Sequence, residues 1–527
     1  MRILVFHGYL LAGTGSNVYN ARLAAAFVAQ GHEVHLLSQD RHAERQPFVD
    51  AVGDWDAGAL RLRDVRERDD VGQGRCTVYR PDIGDLLPVY VADRYEGIRA
   101  LTFAECSEAE IAHYLDANVA AVAELVERVD PDVALANHLV MGPAILARAL
   151  RGRVPYAVKV HGSALEYTVK PHPERFLPFA REGLAGAGGV LVGSHHTAAS
   201  LWRALDDESV TRRTRLGPPG VDVERFAPRE PTQAAAGLTA LASRLQRGAA
   251  AADAQASGDA FARDERAAGD ALARLDPAAD RLVTFVGKLI VSKGVDLLLA
   301  AWPLVLSEVP GARLVVVGFG AYREGLESLL AALADGDMAR AEQIARAGRS
   351  LEDQASEPRP LGHLLAFLDG LSGQALEEYL AAASKLRDRV VITGRLDHEE
   401  LADLLPACEA MVVPSTFPEA FGMVAAEAAA CGVLPVSAAH SGLAEVSDAL
   451  AAAVPEQVAG MLSFAVDDDS VRALAACVVG WLQADPQVRT RARAGLVETV
   501  RERWSWDGVA RGVIAAARGE LDELQTP

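Results

Sequence analysis

Residues 414–432 read Pro-Ser-Thr-Phe-Pro-Glu-Ala-Phe-Gly-Met-Val-Ala-Ala-Glu-Ala-Ala-Ala-Cys-Gly, directly after the apolar run 410–413. The run predicts a strand, and 421–430 predicts the start of a helix. The first N–H groups of a helix have no partner within it, and the dipole there favours an anion. Ala420, Phe421, Gly422, Met423 and Val424 stand at that start. Gly422 removes a side chain where a ligand would approach the backbone. Glu419 and Glu427 are eight residues apart, about two helical turns, which puts them on one side. An anion needs neither of them. Carboxylates are suited to accepting hydrogen bonds from hydroxyls, as on a sugar and a ribose. The same pair also reads as a helix cap at Glu419 and a solvated side chain at Glu427.

Outward from this stretch, strands alternate with helices. In the second half, 282–287, 313–318, 389–394 and 433–437 have strand character and 294–308 is helical. In the first half, 2–7, 33–38, 132–136, 155–160 and 189–193 predict strands, with a helix over about 18–30. Such alternation predicts an α/β chain of two doubly wound parallel sheets. Two domains of this kind face each other across a cleft, and ligands bind beyond the carboxyl ends of the strands. The expected organisation is a first domain over 1–230, an Ala-rich insertion or linker over 231–280 and a second domain over 281–500. A helical insertion over about 325–386 interrupts the second domain, and 501–527 forms a terminal helix. The Ala-rich stretch, of low complexity and mixed charge, is expected to lie outside the core.

Composition narrows the function. The chain has 527 residues, 50% of them hydrophobic and 24% charged, with a formal net charge of −20. That balance excludes a disordered chain and a general affinity for nucleic acid. No window approaches 18 uncharged apolar residues, and the strand-like N-terminus lacks the look of a signal peptide, which together predict a cytoplasmic protein. The five cysteines are scattered and odd in number, and fit neither a disulfide framework nor a zinc site.

Lysine is scarce, with five among 527 residues. Two of them, Lys288 and Lys293, lie in Gly287-Lys-Leu-Ile-Val-Ser-Lys-Gly294 after a strand. Two ammonium groups there would neutralise a diphosphate, although such a segment also reads as a solvated turn. In the first half, His161 follows a strand and precedes Gly162, and His138 has a similar place. Each also reads as a structural histidine. Gly13-Thr14-Gly15 forms a Gly-rich loop after the first strand but lacks the third glycine of the dinucleotide fingerprint. Arg212, Arg213 and Arg215 offer a small basic cluster, either a weak membrane-surface or acidic-acceptor contact or a solvated face.

This combination resembles a retaining glycosyltransferase of the GT-B fold, family 4, a superfamily that includes glycogen synthase and sucrose-phosphate synthase. Glu419 and Glu427 match its pair of glutamates separated by seven residues, with Pro414, Ser415, Phe421 and Gly422 in place. The segment 287–294 matches its basic loop, where the family more often has arginine in place of Lys288. Gly220-Val221-Asp222 with Phe226, His161, and Trp504-Ser505-Trp506 before the terminal helix also match. The resemblance implies transfer of a sugar from a nucleotide-diphosphate sugar to a hydroxyl acceptor, with retention and without a metal or cofactor. It implies that Lys288, Lys293 and the helix start at 420–424 hold the diphosphate. It gives Glu419 the sugar hydroxyls, Glu427 the ribose and His161 a sugar contact, with His161, Glu419 and Lys293 as the catalytic set. A nucleotide-sugar epimerase or a non-catalytic sugar-nucleotide-binding protein of the same fold is the alternative.

Overall fold

A computed structural model describes residues 1–13, 15–56, 58–66, 74–90, 99–252, 264–352 and 358–527. Thr14 and parts of both insertions lie outside the described residues. The chain divides into two compact units, Met1–Gly220 with Trp504–Pro527, and Val221–Arg503.

The first unit contains β1 (Arg2–Phe6), β2 (Glu33–Leu37), β3 (Ala51–Asp56), β4 (Ala59–Asp64), β5 (Arg75–Arg80), β6 (Leu86–Val89), β7 (Arg99–Thr102), β8 (Val133–Asn137), β9 (Tyr156–Lys159), β10 (Gly189–Val192) and β11 (Thr214–Leu216). Nine of them form one sheet in the order β11-β10-β9-β8-β1-β2-β5-β3-β4. Strand β1 shows why its sequence is apolar throughout. Leu4 and Phe6 enter a core with Val122, Leu125 and Ile145. Ile3 and Val5 point the other way, into a core with Leu23, Phe27, Val513 and Ala516. A strand covered on both faces needs a continuous hydrophobic run. Val513 and Ala516 come from the C-terminal helix Trp506–Arg518, which therefore belongs to this unit. A Cβ on Gly189 would lie 2.9 Å from the Ala516 methyl, so a small residue is required there. The sheet is not wholly parallel: β3 and β4 pair antiparallel. Asp56 pairs with Ala59, and so short a connection leaves no room for a crossover.

The second unit contains β12 (Arg281–Val286), β13 (Ala312–Val317), β14 (Val390–Gly394), β15 (Ala410–Val413), β16 (Leu434–Ala438) and β17 (Ser463–Phe464), in the order β14-β13-β12-β15-β16-β17. Every recorded pairing in this sheet is parallel.

The Ala-rich stretch is not a linker. It begins inside the second unit, whose boundary falls at Val221. Helices Pro231–Ala252 and Glu265–Leu272 bury Leu238, Leu241, Leu245 and Leu272. A Cβ on Gly269 would stand 2.8 Å from the Gln246 nitrogen, so the two helices touch backbone to backbone. At Gly269 a small residue is what lets the two helices approach this closely. The second insertion is helical at Arg323–Ala334, Met338–Ala347, Gly362–Asp369 and Gly373–Ala383.

Candidate active site

In the second sheet β12 has β13 on one side and β15 on the other, so the strand order reverses there. Ligands of open parallel sheets bind at such switch points, beyond the carboxyl ends. The loops after these two strands, 287–294 and 414–422, lock together at that position. Thr416 N–H donates to the Ser292 carbonyl at 2.9 Å. The first loop ends in a short turn, Val291–Lys293, closed by Gly294 at φ 66°. A Cβ on Gly294 would lie 2.0 Å from the Pro414 oxygen, so glycine serves both the left-handed backbone and the close approach.

Glu419 is held from several sides. Its Oε1 forms an ion pair with Lys293 Nζ and accepts from Ser415 Oγ at 2.7 Å. Its N–H donates to Ser441 Oγ at 2.9 Å, and its carbonyl accepts from Gly442 N–H at 2.9 Å. His440 Nε2 donates to the Ser415 carbonyl at 2.7 Å. Lys293 and Glu419 retain 28% and 24% side-chain exposure, enough for a ligand to reach both. Lys288 lies half-buried near the start of the same loop.

The helix starts later than the sequence suggests, at Met423, with Gly422 as its cap residue. Ala426 N–H is bonded to the Gly422 carbonyl at 3.0 Å. By helix geometry the amides of Met423, Val424 and Ala425 lead it. Glu419 therefore sits in the loop and does not cap the helix. The two glutamates do not share a helix face. Nor is Glu427 solvated: it is 3% exposed, and its Oε1 accepts from His398 Nε2 at 2.7 Å. His398 opens the helix His398–Leu404, behind an Asp397–Glu400 capping box, with its ring 4.9 Å from Phe226. Sequence reading missed His398, His440 and Ser441. The capping box marks only a helix start, and no spacing pattern links 398 to 427.

The first sheet reverses its order between β1 and β8. His7, His138 and His161 follow β1, β8 and β9, three adjacent strands. His7 Nε2 donates to the Leu10 carbonyl at 2.9 Å, and Nδ1 accepts from Asn20 Nδ2 at 3.0 Å. This fixes the neutral ring, and burial pushes its pKa down to about 4. His138 has φ 67°, a left-handed conformation costly for a non-glycine residue. Its ring lies 4.8 Å from His161 and 4.4 Å from Tyr90. Both its nitrogens are buried without a hydrogen bond to the described residues. His161 Nε2 donates to Asn137 Oδ1 at 3.0 Å. Burial first, then His138, Lys159 and His7, hold its pKa well below the usual imidazole range. Lys159 is 2% exposed, and its ammonium donates to the Gly217 carbonyl and lies 5.5 Å over the Tyr19 ring. Burial brings its pKa down to about 7.

The remaining sequence candidates are dispersed. Gly13 takes φ 94°, whereas Gly15 begins the helix Gly15–Ala29 with open space around it. The basic cluster is largely committed within its own unit. Arg213 donates to the Leu184 and Ala187 carbonyls and Arg215 to those of Leu521 and Arg212. Arg212 pairs with Glu208 at 3.3 Å. No helix among the described residues is long and apolar enough to cross a membrane.

Two family models match the chain, Glycosyl transferase 4-like domain over 14–211 and Glycosyl transferases group 1 over 364–467. A D-inositol 3-phosphate glycosyltransferase of Segniliparus rotundus is 32% identical over 247 residues, which are 47% of this chain and 41% of that protein. One from Xylanimonas cellulosilytica is 27% identical over 389 residues, 73% of this chain and 70% of that protein. Among solved structures, sucrose-phosphate synthase from Thermosynechococcus elongatus matches with TM-score 0.55 at 19% identity, covering 98% of both chains. Anabaena HepE in complex with UDP matches with TM-score 0.55 at 15% identity, covering 99% of this chain and 100% of that one.

Proposed function

From the premise that the chain belongs to the GT-B glycosyltransferases of the family 4 type, we propose that it transfers a sugar from a nucleotide-diphosphate sugar to a hydroxyl acceptor, with retention and without a metal. The observation that carries this is the Lys293–Glu419 pair beside the leading amides of helix Met423–Ala430, at the sheet's switch point.

As the glycosidic bond breaks, the departing diphosphate gains negative charge. Lys288, Lys293 and the Met423 and Val424 amides oppose that charge from fixed positions. Lys293 then trades part of its contact with Glu419 for a phosphate oxygen, and Glu419 turns its free oxygen to sugar hydroxyls. Glu427, oriented by His398, accepts from the ribose. In the first unit His161, kept neutral, serves a sugar hydroxyl. The new bond forms between the acceptor oxygen and the anomeric carbon, on the face the leaving phosphate vacates. A phosphate oxygen accepts the acceptor's proton, so no side-chain nucleophile or external base is required.

The test is a melting-temperature screen against UDP, GDP, ADP and dTDP, followed by turnover with the corresponding donor sugars. A true donor nucleotide at 100-fold its Kd stabilises by about 2.7 kcal/mol. If no nucleotide raises the melting point and no donor is consumed, the proposal is wrong.

A further inference from the structure

We infer that Glu352, carried by the second insertion, is a positioning residue for the lysine loop 287–294: its carboxylate holds the Val291 amide and so fixes how Lys288 and Lys293 are presented. Glu352 Oε1 accepts from Val291 N–H at 2.5 Å. This bond fills a gap between two anchors. Upstream, Leu289 N–H donates to the Phe319 carbonyl at 2.7 Å and the Leu289 carbonyl accepts from Tyr322 N–H at 3.0 Å. Downstream, Ser292 is tied to Thr416 and Lys293 to Glu419. Between them Val291 starts the short turn Val291–Lys293. The leading amide of such a turn has no partner within it.

The insertion builds the carboxylate deliberately into place. Glu352 directly follows the turn Arg349–Leu351. Arg349 N–H donates to the Arg359 carbonyl at 3.2 Å, and a Cβ on Gly348 would lie 1.9 Å from that same oxygen. Glu352 also faces the root of the loop. Burial first, and the Glu352 charge in lesser part, hold the Asp296 carboxyl up at about 7. A carboxylate next to a diphosphate site repels the ligand it helps to seat. Geometry and charge therefore act in opposite directions here and can be separated by substitution.

This rests on the donor reading above, so the test carries its own control. The full-length protein is titrated calorimetrically with UDP, GDP, ADP and dTDP, and the tightest ligand is kept. Glu352→Ala is expected to weaken it about tenfold and to raise the donor KM equally, with kcat changed less than about threefold. Glu352→Gln keeps an acceptor oxygen and sheds the charge, and is expected to bind at least as tightly as wild type. Hydrogen exchange across 289–294 should rise in the alanine variant and not in the glutamine one. Unchanged affinity and exchange in Glu352→Ala would overturn the inference. So would equal weakening in both variants with a lowered Tm, the mark of a scaffold role. Lys293→Ala, measured alongside, separates the two levels. If it weakens binding and Glu352→Ala does not, only this inference fails. If neither affects nucleotide binding, the donor reading fails and this one with it.

Discussion

The two sheets present opposite chemistry at equivalent places. At its switch point the first sheet offers imidazoles packed among aromatic rings, with a buried lysine close by. The second offers a lysine and a glutamate, each about one quarter exposed, beside a helix start. In the first region burial pushes the pKa values of His7, His138, His161 and Lys159 down. The second holds an ion pair that a ligand can reach. The difference separates two tasks, one suited to hydroxyl groups and the other to an anion.

The comparison breaks first at Lys293. Lys293→Ala should lower turnover by about 2.7–4 kcal/mol of barrier, as for loss of an oxyanion donor. Lys385→Ala, on the second insertion, should leave turnover unchanged in the same assay; equal losses would remove the distinction.

Acid should strike the other region. The folded pKa of His7, about 4, lies below its ordinary 6.5. Its contribution to stability is therefore complete above pH 6.5 and is lost as pH falls towards 4. For one such group the loss approaches roughly 3 kcal/mol. His138 and His161 are shifted in the same direction. Hydrogen exchange at pH 5 should show the first unit losing protection before the second, and simultaneous loss would contradict the contrast.

The glutamates sharpen the second region internally. Glu427→Ala should raise the donor KM and lower stability by about 1–3 kcal/mol, because it leaves His398 without its partner. Glu419→Ala should mainly lower kcat, because its partner is the sugar that changes during transfer. Wild-type kinetics in both would make the pair structural. The smallest effect expected is none: turnover should persist in EDTA, and loss restored by manganese would overturn the metal-free mechanism.

Much of this was legible in the chain. Apolar runs buried on both faces announce parallel strands whatever the partner, so β1, β8, β12 and β15 were placed within a residue or two. Lys293 and Glu419 stood out because each follows a strand. The hairpin of β3 and β4 was not legible, since its exposed outer strand β4 lacks an apolar run. His398 was hidden for another reason: its role arises from a contact across 29 residues. Glu352 sits in an insertion without a familiar pattern, where only packing reveals its target.

The terminal helix has a consequence for synthesis. Residues 221–503 form one uninterrupted unit, whereas the first unit needs residues 504–527 to complete its second core. On the ribosome, the half made first must wait with Ile3 and Val5 partly uncovered while the half made second emerges whole. The chain thus reverses the usual N-to-C order of maturation, and its most aggregation-prone interval lasts until residues 504–527 are free to pack on the first sheet.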